Sequence, residues 1–379
     1  MTRYWSSARW GGFAALALVT WTLGGGACAS VPDEEPSDAP EVSGDAAEDA
    51  GTGVPNDAGP STGTEGWTLV EFPRTSETLS GVWGSGPSDV WAVGSRGTIL
   101  HWDGSRWDTS ESGSRVALRA VWGSGPHDVW AVGTMKDVLH SSGWQDGGSR
   151  WVEATGVDGG LREVSYAATG AKVIAPSIWG SSATDVWLTS LSRQKNGWHS
   201  DGWAEGNVSW RNVLVYPDYG SAIWGSDSEN VWVVGQNGTI ARSAGYKAGL
   251  ADWVPVNSGT RANLNAIWGT DTDDVWVVGD NGVIRHWTYD DADVLRWNPS
   301  SSGTERALFA VWGSSATDVW VAGEDTILHW NGSSWSPSAI PSLPPNTRFF
   351  GIWGSGPDDV WIVGDSVILH RSGSAKGVE

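Results

Sequence analysis

The chain has one cysteine, two methionines and 23 basic residues against 44 acidic ones in 379 positions. A single cysteine excludes an internal disulfide framework. The formal charge of −21 excludes a nucleic-acid reader, which needs a basic face for phosphates. It also opposes adhesion to anionic lipid headgroups. Few methionines and few long aliphatics, beside 52 glycines and 30 tryptophans, suit all-β structure with tight turns better than helices. The one sustained apolar run, GGFAALALVTWTL (11–23), is too short for a comfortable membrane span.

That run follows Arg3 and Arg9, so residues 1–27 read as an export signal. The GGGACAS that comes next resembles a bacterial lipobox, with Gly25 standing where the family prefers Leu. The resemblance implies that Cys28 is acylated and begins the mature chain, and that Ala29 after it favours the outer membrane. Ala27-Cys28-Ala29 also fits a small-x-small site, and cleavage after Ala29 would give a secreted chain. Residues 28–66 form the expected linker, whose 31–66 stretch holds ten acidic residues and no basic ones. With almost nothing apolar to bury, it cannot offset its ordering entropy.

From Trp67 to residue 379 the chain recites one motif seven times. An apolar residue precedes Trp-Gly at Trp83, Trp122, Trp179, Trp224, Trp268, Trp312 and Trp353, at spacings of 39, 57, 45, 44, 44 and 41. These match propeller blades. Eight residues after each anchor stands a second tryptophan, in DVW or NVW: Trp91, Trp130, Trp187, Trp232, Trp276, Trp320 and Trp361. Each unit reads as four strands separated by turns. The second turn is often Asn-Gly (237–238, 281–282) or Arg-Gly (96–97). Asp-Gly or Asn-Gly (103–104, 201–202, 331–332) leads to the fourth strand. Such pairs supply the positive φ of two-residue hairpins. In DVWAVG both faces are apolar, so each sheet must be covered on both sides.

The seventh unit stops after SVILHRSG (366–373), whereas GWTLVEFP (66–73) precedes the first. Residues 67–72 are therefore expected to complete the last sheet and close a seven-bladed β-propeller of four-stranded antiparallel blades. A tryptophan repeated on every central strand is most simply glue between blades, since its burial is worth about 4–6 kcal/mol gross. The pattern WGxxxxDVWxVGxxGxIxHWDGxxW is similar to repeats of exported and lipid-anchored myxobacterial proteins. More distantly it resembles the propellers of photosystem II assembly factors and Asp-box, sialidase-like proteins. HWDGSRW (101–107) keeps only the Asp, Gly and Trp of the Asp-box, so no one family's activity carries over.

Six histidines hold one repeat slot, His101, His140, His199, His286, His329 and His370, with Arg242 in the other unit. On separate blades they cannot converge on a metal. Each is expected to hydrogen-bond within its blade to the aspartate before the second tryptophan: Asp89, Asp128, Asp185, Asp274, Asp318 or Asp359. Those aspartates, at strand starts, are expected to cap backbone N–H groups. No metal or cofactor is expected.

Basic residues recur just before the first strand: Arg115, Lys172, Arg261, Arg306 and Arg348. They are candidates for a binding face that draws an anion or an acidic partner; pairing with nearby acids such as Glu305 is the plainer reading. Insertions at 143–172 and 190–220 are rich in Trp, Tyr, Arg and Asn, types favoured at interfaces. A sialidase-like hydrolase needs a tyrosine–carboxylate pair, and Tyr166, Tyr216, Tyr219, Tyr246 and Tyr289 have no such companion by motif. The expectation is a monomeric, non-catalytic binding or scaffolding propeller on the bacterial envelope. It would recognise an envelope protein or glycan and meet the membrane only through its lipid; a glycan-active enzyme is the alternative.

Overall fold

The structure is a computed structural model that describes residues 66–73, 76–133, 137–156, 161, 176–191, 196–214 and 220–373. All lie in one compact unit, Pro60–Glu379. The export signal, Cys28 and the acidic linker fall outside the described residues.

Seven four-stranded antiparallel sheets form a propeller. The inner strands are Leu79–Gly86, Ala120–Gly125, Ile178–Ser182, Gly220–Asp227, Leu264–Asp271, Leu308–Ser315 and Phe349–Gly356. The second strands start at the aspartates and Asn230. In every blade the two repeat tryptophans face each other across the first hairpin, from Trp83 opposite Trp91 to Trp353 opposite Trp361. The eight-residue spacing is therefore a register, set by a short turn and a bulge.

Closure is as expected, with a shorter strand. Thr68–Leu69 joins the last blade, pairing Thr68 with His370 and Leu69 with Leu369. The Val70 amide continues the ladder by donating to the Ile368 carbonyl at 2.9 Å.

The apolar interior is divided into seven clusters, each shared by two neighbouring blades, the last by blades seven and one. Two tryptophan contacts build every seam. The second-strand tryptophans, at most 3% exposed, are met edge-on by an outer-strand tryptophan of the next blade. Trp151, Trp210, Trp253, Trp297, Trp335, Trp67 and Trp107 approach at 5.3–6.0 Å and 78–89°. Trp67 thus fills in the last blade the slot Trp107 fills in the first. The half-buried first-strand tryptophans lie over the next blade's Trp-Gly glycine. A Cβ built on Gly180 would stand 2.6 Å from the Trp122 ring and 2.4 Å from the Asp185 carbonyl oxygen. The same holds round the ring to Trp353 over Gly84. That is why glycine follows tryptophan in every unit.

Turn chemistry divides. At 96–97, 237–238 and 281–282 both residues have positive φ, the conformation expected of two-residue hairpins. At 103–104 and 331–332 only the glycine does, because the loop is wider. The Asp103 carboxylate accepts backbone N–H bonds from Ser105 and Arg106, and Asn331 repeats the arrangement. The hydroxyl of Ser105 and those two amides hold the Asp103 carboxyl down at about 2. The Asp-Gly at 201–202 is a correction. It lies inside the strand Asn196–Ala204, and the hairpin turns instead at Glu205–Gly206.

Candidate functional site

The Asp–His pairs hold each blade together. Imidazole Nε2 lies 2.5–2.8 Å from aspartate Oδ1 in all six pairs. Aspartate Oδ2 accepts from a hydroxyl four residues earlier: Ser85, Ser124, Ser181, Thr270, Ser314 or Ser355. Capping of backbone N–H groups is therefore corrected: side chains, not amides, satisfy these carboxylates. Burial alone pushes the six carboxyls up, but the imidazole and hydroxyl bonds outweigh it, so all six titrate below the usual carboxylate range. Each imidazole is committed to its own blade's carboxylate. Among the described residues no three His, Cys, Asp or Glu side chains are placed to hold a metal.

Arg115, Arg261, Arg306 and Arg348 lie on the face formed by the connections before the inner strands and the loops between second and third strands, but not in one slot. Arg115 and Arg261 follow equivalent Ser-Gly-Ser and Ser-Gly-Thr turns, in which the Ser112 and Ser258 hydroxyls donate to the Gly97 and Gly238 carbonyls. Glu305 takes that place in the next connection. Arg306 pairs with Asp325 at 3.0 Å and Arg348 with Asp365 at 2.8 Å. Lys172 lies outside the described residues. The aromatic insertions are also corrected in part. Trp151, Trp198 and Trp210 are core, and Trp144 and Trp203 stack on His101 and His140 of the preceding blade at 4.4 Å. Tyr246 likewise stacks on His199. Tyr166, Tyr216 and Tyr219 are outside the described residues, and Tyr289 is 52% exposed.

A cavity of about 220 Å³ at the hub is lined by all seven inner strands. Two larger clefts, about 410 and 470 Å³, are lined by the fifth blade and the connection that leaves it. The hub wall repeats. A collar of Val82, Val121, Ile178, Ile223, Ile267, Val311 and Ile352 is 5–8% exposed. Beside it stands a ring of Gly81, Ala120, Ser177, Ala222, Ala266, Ala310 and Gly351. The slot before these small residues breaks the pattern, reading Ser80, Arg119, Pro176, Ser221, Asn265, Phe309 and Phe350. In five blades it is the extra residue of a β-bulge, where the register slips between, for example, Phe349 and Gly351. A bulge re-aims its side chain, here into the hub mouth.

The mouth is chemically lopsided. Phe309 and Phe350 meet at 5.4 Å, and the Arg348 guanidinium lies 5.1 Å from the Phe350 ring centre. One blade separates Phe350 from Arg119. The Asn265 amide is spent on Asp280 and the Leu308 carbonyl. Arg115, Arg119 and Arg261 are exposed. They have no ion-pair partner among the described residues, whereas Asp325, Asp365 and Glu77 on the same face are engaged by Arg306, Arg348 and Arg96. Arg119 was not distinguished from the sequence; counting three residues back from the anchor tryptophan would have found it.

No protein-family model and no curated protein matches the sequence. Solved structures are similar in fold. YCF48 bound to D1 peptide superposes with a TM-score of 0.60 at 16% identity, covering 81% of this chain and 97% of that one. YCF48 from Cyanidioschyzon merolae gives 0.59 at 16%, covering 81% and 99%. The WD40 β-propeller domain of Doa1 gives 0.60 at 14%, covering 82% and 98%. Streptogramin B lyase gives 0.61 at 18%, covering 80% and 96%.

Proposed function

We propose that this chain is a non-catalytic binding or scaffolding propeller of the bacterial envelope. It is exported and tethered through a lipid on Cys28 by its acidic linker, in the outer membrane or facing the periplasm or cell surface. Its repeat is that of the Trp-rich exported propellers of myxobacteria-like bacteria. It recognises a protein or glycan through the face that carries the hub mouth.

One observation carries the reading. In a chain of net charge −21, that face leaves Arg115, Arg119 and Arg261 without carboxylate partners among the described residues, and Arg119 lines a cavity bounded by every blade. Unpaired guanidinium groups steer anions and pair with carboxylates two-pronged. The YCF48 structure holding a peptide supports protein as the partner class. Streptogramin B lyase, a propeller named as an enzyme, favours keeping the glycan-active alternative as the second reading.

The test is retention of detergent-solubilised envelope proteins and of arrayed glycans by the full mature chain. A discrete partner should be held by the native chain and lost from Arg115→Ala/Arg261→Ala. Turnover of glycosides, abolished by replacing Arg261, Arg306 and Arg348 together, would replace this reading with the enzyme. For the anchor, the mass of the mature N-terminal peptide should carry acyl chains on Cys28; an unmodified start at Ser30 would refute it.

A further inference from the structure

The hub wall separates what the fold demands from what it leaves free. Collar and small-residue ring keep one residue type all round, because neighbouring inner strands pack there; the Gly81 Cβ position lies 3.2 Å from Ala120 backbone. The bulge slot packs against nothing common to all blades, and it holds serine, arginine, proline, asparagine and phenylalanine. Two phenylalanines in adjacent blades place half-buried aromatic surface at an open mouth, which folding alone does not favour. Arg119 stands two blades beyond Phe350, with Ser80 in the blade between, exposed and unpaired among the described residues. At about 220 Å³ the cavity is smaller than the roughly 300–1,000 Å³ typical of small-molecule pockets. It suits one side chain projecting from a partner.

We propose that the hub mouth receives an aromatic side chain flanked by a carboxylate, presented by a segment of a partner protein. The ring packs on Phe309 and Phe350, and the carboxylate pairs with Arg119. This rests on the binding reading above and names its ligand chemistry. Phe350 is already backed by Arg348, whose charge is spent on Asp365, so the aromatic pair is fixed in place before a ligand arrives. Arg119, which has no ion-pair partner among the described residues, meets the carboxylate without breaking an ion pair seen there. The ring of small residues beneath limits how far a side chain can enter.

The probe is a fluorescein-labelled heptapeptide, Gly-Ser-Gly-Phe-Glu-Gly-Ser-amide, with variants carrying Gln for Glu or Ala for Phe. Binding to the full mature chain is read by anisotropy. The Phe-Glu peptide should bind at least about tenfold more tightly than either variant, as expected for a charge-assisted hydrogen bond and an aromatic contact. Arg119→Ala should erase the Glu-over-Gln preference while keeping Phe over Ala, and Arg119→Lys should restore part of it. Phe309→Ser/Phe350→Ser should do the converse. Equal binding of all three peptides, no binding up to millimolar, or a Glu preference that survives Arg119→Ala would overturn the assignment. Loss of binding in Arg115→Ala/Arg261→Ala with Arg119→Ala unaffected would sink the hub site and leave the face as the binding surface.

Discussion

Blades one to three and blades five to seven solve the same seam in two ways. In the first group the second-strand indole is turned across its histidine at 52–67°, and its Nε1–H donates to the blade's aspartate at 3.0–3.1 Å. The next blade's Trp144, Trp203 or Tyr246 then lies flat on the imidazole at 4.0–4.4 Å. In the second group the indole itself stacks on the histidine at 3.7–4.1 Å and 11–21°, and its Nε1 makes no hydrogen bond.

The cause lies one blade on, in the residue after the next histidine slot. Ser141, Ser200 and Ser243 leave room there, and the Ser-x-Gly-aromatic turn that follows fills it. Trp330, Arg371 and Trp102 occupy the space instead and press on Trp276, Trp320 and Trp361. Blade four follows the second pattern, with Arg242 over Trp232 and Trp287 beside it. A side chain's rotamer in one blade is thus chosen by its neighbour, and an indole N–H bond is exchanged for a stack.

The largest expected effect is common to both groups. Trp91→Ala and Trp276→Ala each empty a fully buried site and should cost about 3–5 kcal/mol in denaturant unfolding; a mild loss in one group alone would mark its seams as loose. Next comes Gly180→Ala, whose Cβ meets both the Trp122 ring and backbone. Such overpacking should cost about 1–3 kcal/mol. The swap Ser141→Trp/Trp144→Ser addresses the comparison itself. Each single change should destabilise, and the double should be milder than their sum by about 0.5–3 kcal/mol. The Trp91 Nε1–H resonance should then lose its hydrogen-bonded shift, and additive costs would refute the neighbour rule.

A smaller effect separates blade four from the rest. A carboxyl held below its unfolded pKa binds fewer protons when folded. Its stabilisation is complete above the unfolded value of ~4 and drains as pH falls through the folded one. As the pH drops below about 4, unfolding midpoints should therefore fall. Asp128→Asn should flatten that fall slightly, whereas Asn230→Ala in blade four should leave its shape unchanged.

The tryptophan frame was legible because hairpin register and inter-blade contact both act at fixed sequence distance. Trp83 faces Trp91 and overlies Gly123 in every repeat of the pattern. The Asp–His pairs were legible for the same reason. The hub mouth was not. A bulge at Ser80, Phe309 or Phe350 breaks the two-residue alternation from which facing is read, and Arg119 looked like any loop arginine. Nor could sequence show that Trp144 and Trp203 serve a neighbouring blade's histidine, since such contacts cross a seam. The arginine set was divided by ion pairs to Asp325 and Asp365, residues brought close by the second-to-third-strand loops.

Closure of the ring underlies every seam described, and amide hydrogen exchange at Val70 tests it most directly. Its N–H, bonded to the Ile368 carbonyl at 2.9 Å, should exchange as slowly as amides in the core of the last blade. Exchange at the rate of an open peptide, while Val360 and Ile362 stay protected, would show that the N-terminal strand does not close the propeller.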